Sequence, residues 1–272
     1  MKRRIRGPAF LLAAAVLASP LGAHGAPAEG RHEDLTLGPA GARTAAQAWV
    51  GASAGAHPPL IVVLHGDAPF VKPSYQYVFA QHAAATVPQA VVVALLRPGY
   101  ADRQGRRSDG VRGRTTGDNY TPQVLDQLFR AIGEAKARYG AGEVVVAGHS
   151  GGAALSALLL ERGVASRALL VSCPCDLGPF RRHMAVKQFS PMWLLPVRSL
   201  SPMAGVGRIK PGARVTLVSG TADDIAPPPE SRAFAEAARK AGATVVLVPI
   251  PGGHEVFLDP AVQVALKALV EG

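Results

Sequence analysis

Cysteine is nearly absent from this chain. Only Cys173 and Cys175 occur among 272 residues, and no further Cys or His ligands stand near them, as a zinc site would need. Neither a metal nor an organic cofactor is expected. No cysteine lies near the N-terminal apolar run, which argues against a lipid-anchored form. A long apolar stretch is missing too: Ala9 to Leu21 falls short of the ~20 residues that span a bilayer. Acidic residues are outnumbered, 19 against 29 Lys and Arg, for a formal charge of +10. Such a balance could suit nucleic acid, but no recognisable nucleic-acid module accompanies it, so no nucleic-acid partner is expected. Repeats and low-complexity tracts are not evident.

The start of the chain reads as a targeting segment. Met1-Lys2-Arg3-Arg4-Ile5-Arg6 is basic, the apolar run follows, and Ala23-His24-Gly25 offers small residues for cleavage. This is the pattern of a secretory signal peptide over residues 1–25, the alternative being an uncleaved anchor. The expected product is secreted or periplasmic, without stable membrane insertion. Loss of Lys2, Arg3, Arg4 and Arg6 would leave a charge near +6 from the formal +10. Residues 26–272 suffice for one α/β domain with a large core. Ala26 to Glu33 reads as a flexible lead-in.

Gly148-His149-Ser150-Gly151-Gly152 is the most informative stretch. Glu143 to Ala147 before it reads as a buried strand, and Ala153 to Leu160 after it reads as a helix. A serine at the apex of a strand–turn–helix is a nucleophile elbow. The strained turn tolerates only small neighbours, and Gly148 and Gly151 carry no Cβ. A serine hydroxyl needs a base, and the base needs an orienting acid. In elbow hydrolases they follow in the order serine, acid, histidine.

Both candidates lie downstream in that order. Arg214 to Val218 reads as a strand, and Asp223 or Asp224 sits just past its end, with Asp223 preferred. Thr244 to Ile250 reads as the last strand, and His254 follows in Pro251-Gly252-Gly253-His254-Glu255. An oxyanion needs two aimed amides. Gly151 should supply one. The other should come from Asp67, after the β-type run Leu60 to Leu64 and His65-Gly66, with the Asp67 side chain turned away. His149 and Tyr100 are candidate pocket residues, as are Cys173 and Cys175. Two cysteines so close in sequence are cramped against the usual Cα separation of ~5.5–6 Å. They form either a strained disulfide under the pocket or two thiols.

Strands and helices alternate through the chain, as in a doubly wound, mostly parallel sheet flanked by helices. Helices are expected around Tyr75 to Ala85, Thr121 to Tyr139, Glu230 to Ala241 and Pro260 to Val270. Leu125, Leu128, Ile132 and Ala135 fall at helical spacing and should face the sheet. Segments near Asp34 and Ala46 are expected to add antiparallel strands. Arg103, Arg106, Arg107, Arg112 and Arg114 share one loop that should border the site and could meet anionic substrate groups. Between Leu177 and Lys210 the alternation breaks, and a small flap over an open pocket is expected.

These residues resemble the α/β-hydrolase superfamily, from His65-Gly66 to His254. Gly220-Thr221-Ala222-Asp223-Asp224-Ile225-Ala226-Pro227 and Gly253-His254 are similar to the catalytic domains of prolyl-oligopeptidase-type peptidases and to dienelactone-hydrolase-like esterases. The resemblance implies that Asp223, not Asp224, is the acid and His254 the base. Arg97-Pro98-Gly99-Tyr100 departs from the Arg-Gly-Ser-x-Gly-type segment of that group. The chain is too short for the propeller that restricts substrates in the oligopeptidases, so peptide specificity does not carry over. The expectation is an exported serine hydrolase acting on ester or small acyl substrates. A peptidase gripping an amino terminus through Asp102, Asp109 or Asp176 is one alternative. A non-catalytic envelope-binding protein is another.

Overall fold

The computed structural model describes residues 30–272, so the expected signal peptide lies outside the described residues. Eight strands form one sheet in the order β1-β2-β4-β3-β5-β6-β7-β8. They are β1 (Arg31–Leu37), β2 (Thr44–Val50), β3 (Leu60–Leu64), β4 (Val91–Leu95), β5 (Val144–His149), β6 (Arg167–Val171), β7 (Arg214–Gly220) and β8 (Thr244–Ile250). The β1–β2 and β2–β4 pairs are antiparallel. All other neighbours are parallel.

Every residue of β3, β4 and β5 is buried. That is why Leu60 to Leu64, Val91 to Leu95 and Val144 to Ala147 read as unbroken apolar runs: a strand covered on both faces has no polar side. Successive side chains alternate between two cores. Leu60, Val62 and Leu64 belong to the larger core, Ile61 and Val63 to the other. The larger core is closed by α2 (Pro122–Arg138), α3 (Gly151–Glu161) and α6 (Pro228–Lys240), the other by α1 (Tyr75–Thr86) and α7 (Pro260–Glu271). All residues of α3 are buried, as befits a helix apolar all round. In α2 Leu125, Leu128, Ile132 and Ala135 face inward, the Thr121 side chain accepts from the Val124 amide, and Pro122 takes the first turn. Thr121 is thus the cap.

Two expectations need correction, and one open alternative is decided. The lead-in is not wholly flexible, because Arg31 to Glu33 already pair with Ala48 to Val50. The break after β6 holds a full helix, α4 (Leu177–Lys187), then a turn at Pro191–Leu194 and the one-turn α5 (Pro202–Gly205). Within it Trp193 is buried in the core, but Met192 is exposed. Cys173 and Cys175 are joined by a disulfide with Cα atoms 5.1 Å apart, inside the ordinary range of about 4.4–6.8 Å. Of the two alternatives left open, disulfide or two thiols, the structure has the disulfide.

The chain leaves β3 for β4 on one side of the sheet, then returns to place β5 on the other. Loops at such a reversal diverge and leave a crevice at the strands' C-terminal ends. The loops after β3, β5, β7 and β8 meet around that edge.

Candidate active site

Ser150 caps α3 with φ 51° and ψ −120°. A side chain at positive φ is strained, and the turn is held by close packing. A Cβ on Gly148 would collide with the Gly152 carbonyl, and one on Gly152 with the Leu64 carbonyl. The Ser150 amide is tied to the Val171 carbonyl at 2.9 Å. What emerges is a hydroxyl on a residue 6% exposed.

Register brings the partners to it. His149 lies opposite Val171, and Val171 opposite Val218, so the ends of β5, β6 and β7 share one edge. His254 Nε2 lies 2.9 Å from Ser150 Oγ, and its Nδ1 lies 3.0 Å from both Asp223 oxygens. The Asp223 carboxylate also accepts from the Ile225 and Ala226 amides at 3.0 and 2.9 Å. Burial alone would raise its pKa. The bond from His254 and its charge, with the two amides, outweigh that and hold it below the usual carboxylate value. Asp224 points outward to Lys187, so the structure joins Asp223 to the histidine and leaves Asp224 apart. An imidazole between a hydroxyl and a buried carboxylate can take the hydroxyl's proton and be stabilised once charged.

The loop after β3 runs beneath Ser150. Among the described residues, neither the Gly151 nor the Asp67 backbone amide donates a hydrogen bond within the protein. The Asp67 side chain does not turn away as expected. It lies over Gly151, where a Cβ would come within 2.6 Å of it. Arg97 explains why this is tolerated: its guanidinium meets Asp67 Oδ1 at 2.8 Å, both side chains being almost fully buried. Tyr120 Oη and the Gly117 amide donate to Asp67 Oδ2 at 2.6 and 2.8 Å. Arg97 also donates to the His65 carbonyl at 3.2 Å, while its amide donates to His65 Nε2 at 3.1 Å. Burial, then the Arg97 charge, depress the His65 pKa strongly, leaving a neutral ring whose Nδ1–H meets the Gly66 carbonyl at 2.7 Å.

Sequence reasoning missed Arg97, Tyr120 and Tyr75. Arg97 stood only as a departure from a motif. An arginine directly after a fully apolar strand was the available signal, since a charge there must find a buried partner. Tyr75 accepts from the Gly66 amide at 2.6 Å and meets His149 Nδ1 at 2.9 Å. Nothing in its local sequence marks it.

The four candidate pocket residues are all buried. Tyr100 packs edge-on against His65, and Cys173 and Cys175 lie in the larger core. His149 braces the base instead of lining a pocket: its Nε2 donates to the His254 carbonyl at 3.0 Å, and Ser172 Oγ donates there at 2.9 Å. Burial, then repulsion from His254, lower the His149 pKa. His149, His254 and Glu255 could offer metal-ligand atoms within 4.8 Å of one another. All four imidazole nitrogens of that set, however, are engaged in the hydrogen bonds above.

The arginine loop divides. Arg106 pairs with Asp102 at 2.7 Å and with Asp34 of β1, away from the site. Only its far end returns, through Gly117 on Asp67 and through the Thr116 carbonyl, which accepts from Arg181 at 3.2 Å.

No protein-family model matches the sequence, and a search of curated proteins gives no match. Solved structures do match. The acylaminoacyl peptidase of Pyrococcus horikoshii aligns over 89% of this chain and 40% of its own, with TM-score 0.65 and 13% identity. An esterase of Pyrococcus furiosus aligns over 89% of this chain and 92% of its own, with TM-score 0.64 and 14% identity. A puromycin-hydrolysing peptidase of Mycobacterium tuberculosis aligns over 87% and 38%, with TM-score 0.65 and 20% identity. The chain thus spans about two fifths of the acylaminoacyl peptidase and nearly all of the esterase. With its reversal at β3 and its strand–serine–helix turn after β5, the chain has the α/β-hydrolase fold.

Proposed function

We propose that this protein is an exported serine hydrolase that cleaves esters or small acyl substrates. The observation that carries the reading is the continuous hydrogen-bonded line from Ser150 through His254 to Asp223. In the proposed reaction Ser150 Oγ attacks the substrate carbonyl carbon while His254 Nε2 takes its proton. The C=O pair moves onto oxygen, and the Gly151 and Asp67 amides hold that oxyanion. Collapse expels the alcohol, which leaves with the proton from His254. Water repeats the sequence on the acyl-enzyme and frees the acid. Asp223 keeps Nδ1 protonated and stabilises the imidazolium.

Ester substrates are favoured over peptides by where the acids lie. Asp102 is taken by Arg106 and Tyr77, and Asp109 by the Arg43 amide. Asp102, buried and paired, is thereby kept from gripping a peptide amino terminus, and Asp109 is tied to the start of β2. Asp176, at the start of α4, is the remaining candidate for the peptidase reading. The basic, then apolar N-terminal segment supports export.

The test is labelling by a fluorophosphonate probe, with Ser150→Ala and His254→Ala alongside. Wild-type labelling lost in both variants is the expected result. A folded, unlabelled wild type would turn the reading to a binding protein on this scaffold. Turnover of p-nitrophenyl esters against aminoacyl anilides then separates esterase from peptidase.

A further inference from the structure

We propose that α4 and the turn after it form a docking surface for an anionic lipid bilayer. The first observation is apolar exposure. Val186, Phe189, Met192, Leu194 and Leu195 are all exposed within ten residues, Phe189 by 94%. Isolated exposed apolar residues are ordinary, but a contiguous set marks an interaction surface. The exposure is also held against strain, since Phe189 sits at φ 48°, a conformation costly for a side chain with a Cβ.

The second observation is charge. From Leu177 to Ser201 the sequence contains no Asp or Glu, while Arg181, Arg182, Lys187 and Arg198 fall inside it. Lys187 is paired with Asp224. Among the described residues, the exposed Arg182 and Arg198 have no salt bridge. Arg181 is buried, feels the charge of Asp118, and donates to the Thr116, Met192 and Leu195 carbonyls, so it fixes the turn. Apolar side chains rimmed by unpaired guanidinium groups are the chemistry of a bilayer interface bearing anionic headgroups.

That charge also argues against a second copy as the occupant. A two-fold contact sets the same patch against itself, and here it would bring two acid-free, basic segments together. The surface adjoins the loop of Asp223, because His183 Nε2 meets the Asp224 carbonyl at 2.8 Å. Docking would hold that loop close to the bilayer.

Co-sedimentation of the exported protein, freed of its basic and apolar N-terminal segment, which would bind such vesicles by itself, with vesicles of 30% phosphatidylglycerol in phosphatidylcholine tests this, against pure phosphatidylcholine. Binding is expected only to the anionic vesicles and should fall in 0.5 M salt. Each headgroup-facing basic residue strengthens partitioning roughly fivefold, so Arg182→Gln with Arg198→Gln should weaken it more than tenfold. Phe189→Ser with Leu194→Ser and Leu195→Ser should weaken it at least as much. All five side chains are exposed, so the variants should melt like wild type. In a Trp49→Phe background Trp193, beneath the patch, should be quenched by brominated lipid. The proposal is overturned by absent binding, by binding unchanged in both variants, or by binding without Trp193 quenching, which would place the contact elsewhere. It is also overturned if the triple variant loses a dimer while wild type ignores vesicles.

Discussion

Two buried carboxylates flank Ser150, and each is held by a different basic side chain. Asp223 faces the imidazole of His254, and Asp67 faces the guanidinium of Arg97. Both accept further bonds, Asp223 from two amides and Asp67 from an amide and a tyrosine. The difference lies in the basic side chain. An imidazole gains and loses its proton near neutral pH, whereas a guanidinium does not. Burial works against the Arg97 charge, but Asp67 more than offsets it and keeps the group protonated. One pair suits a charge that comes and goes in every turnover. The other suits a loop that must not move.

The sharpest way to break this comparison is at the cycling pair. Asp223→Asn keeps the shape but donates a hydrogen where His254 needs an acceptor, which favours the wrong tautomer. By analogy with other serine–histidine–aspartate sites, kcat should fall roughly 10⁴-fold, with a modest loss of stability at neutral pH, where the Asp223 charge contributes. Ester turnover and a thermal melt measure both. A loss below tenfold would mean that His254 does not depend on Asp223.

The static pair should answer in the opposite sense, in stability first. Arg97→Met strands the Asp67 charge in the interior, and breaking a buried pair from one side costs about 3–5 kcal/mol. Freed from Arg97, the loop that carries the Asp67 amide should also lose aim, and one misaligned oxyanion donor lowers kcat roughly 100-fold. Asp67→Asn with Arg97→Met removes both charges and should recover most of the stability but not the rate. Denaturant melts and kcat, measured on the single and double variants, separate the two roles. Recovery of both would reduce the pair to a structural element.

The same contrast explains what the sequence could disclose. The elbow was legible because its demands are local: a buried strand, small residues at Gly148 and Gly151, then an apolar helix. Asp223 and His254 were legible because each follows a strand in an order fixed by topology. Arg97 and Tyr120 were not, because their partner Asp67 lies 30 and 53 positions away and only folding brings them together. For the same reason the position of Asp67's side chain was misjudged: a carboxylate over Gly151 looks prohibitive until its cation is seen. His149 stands beside Ser150 in sequence, and Tyr100, Cys173 and Cys175 each follow a strand; all four are buried, His149 being held by Tyr75 and the His254 carbonyl. Met192 and Trp193 are neighbours with opposite fates, since a turn of 3-10 type sends adjacent side chains to different faces.

The smallest expected effect concerns a third carboxylate, Glu230 in the first turn of α6. One of its oxygens is buried without a hydrogen-bond partner. Burial, then repulsion from Asp176 and Asp223, push its pKa up to about 7. The ordinary glutamate value is about 4.3, so between these values the folded state binds more protons than the unfolded one. Stability from this group is fully present below about pH 4 and is lost as pH rises through 7. Asp223 has the opposite sign: its depressed value gives stability at neutral pH that disappears as pH falls through the folded pKa. Glu230→Gln should therefore leave Tm unchanged at pH 4 and flatten its decline toward pH 8. Solvent screens the partly exposed group, so the gain at pH 8 should be only about 1–2 °C. An unchanged slope would mean that water reaches Glu230 and that Asp67 and Asp223 alone set the electrostatics around Ser150.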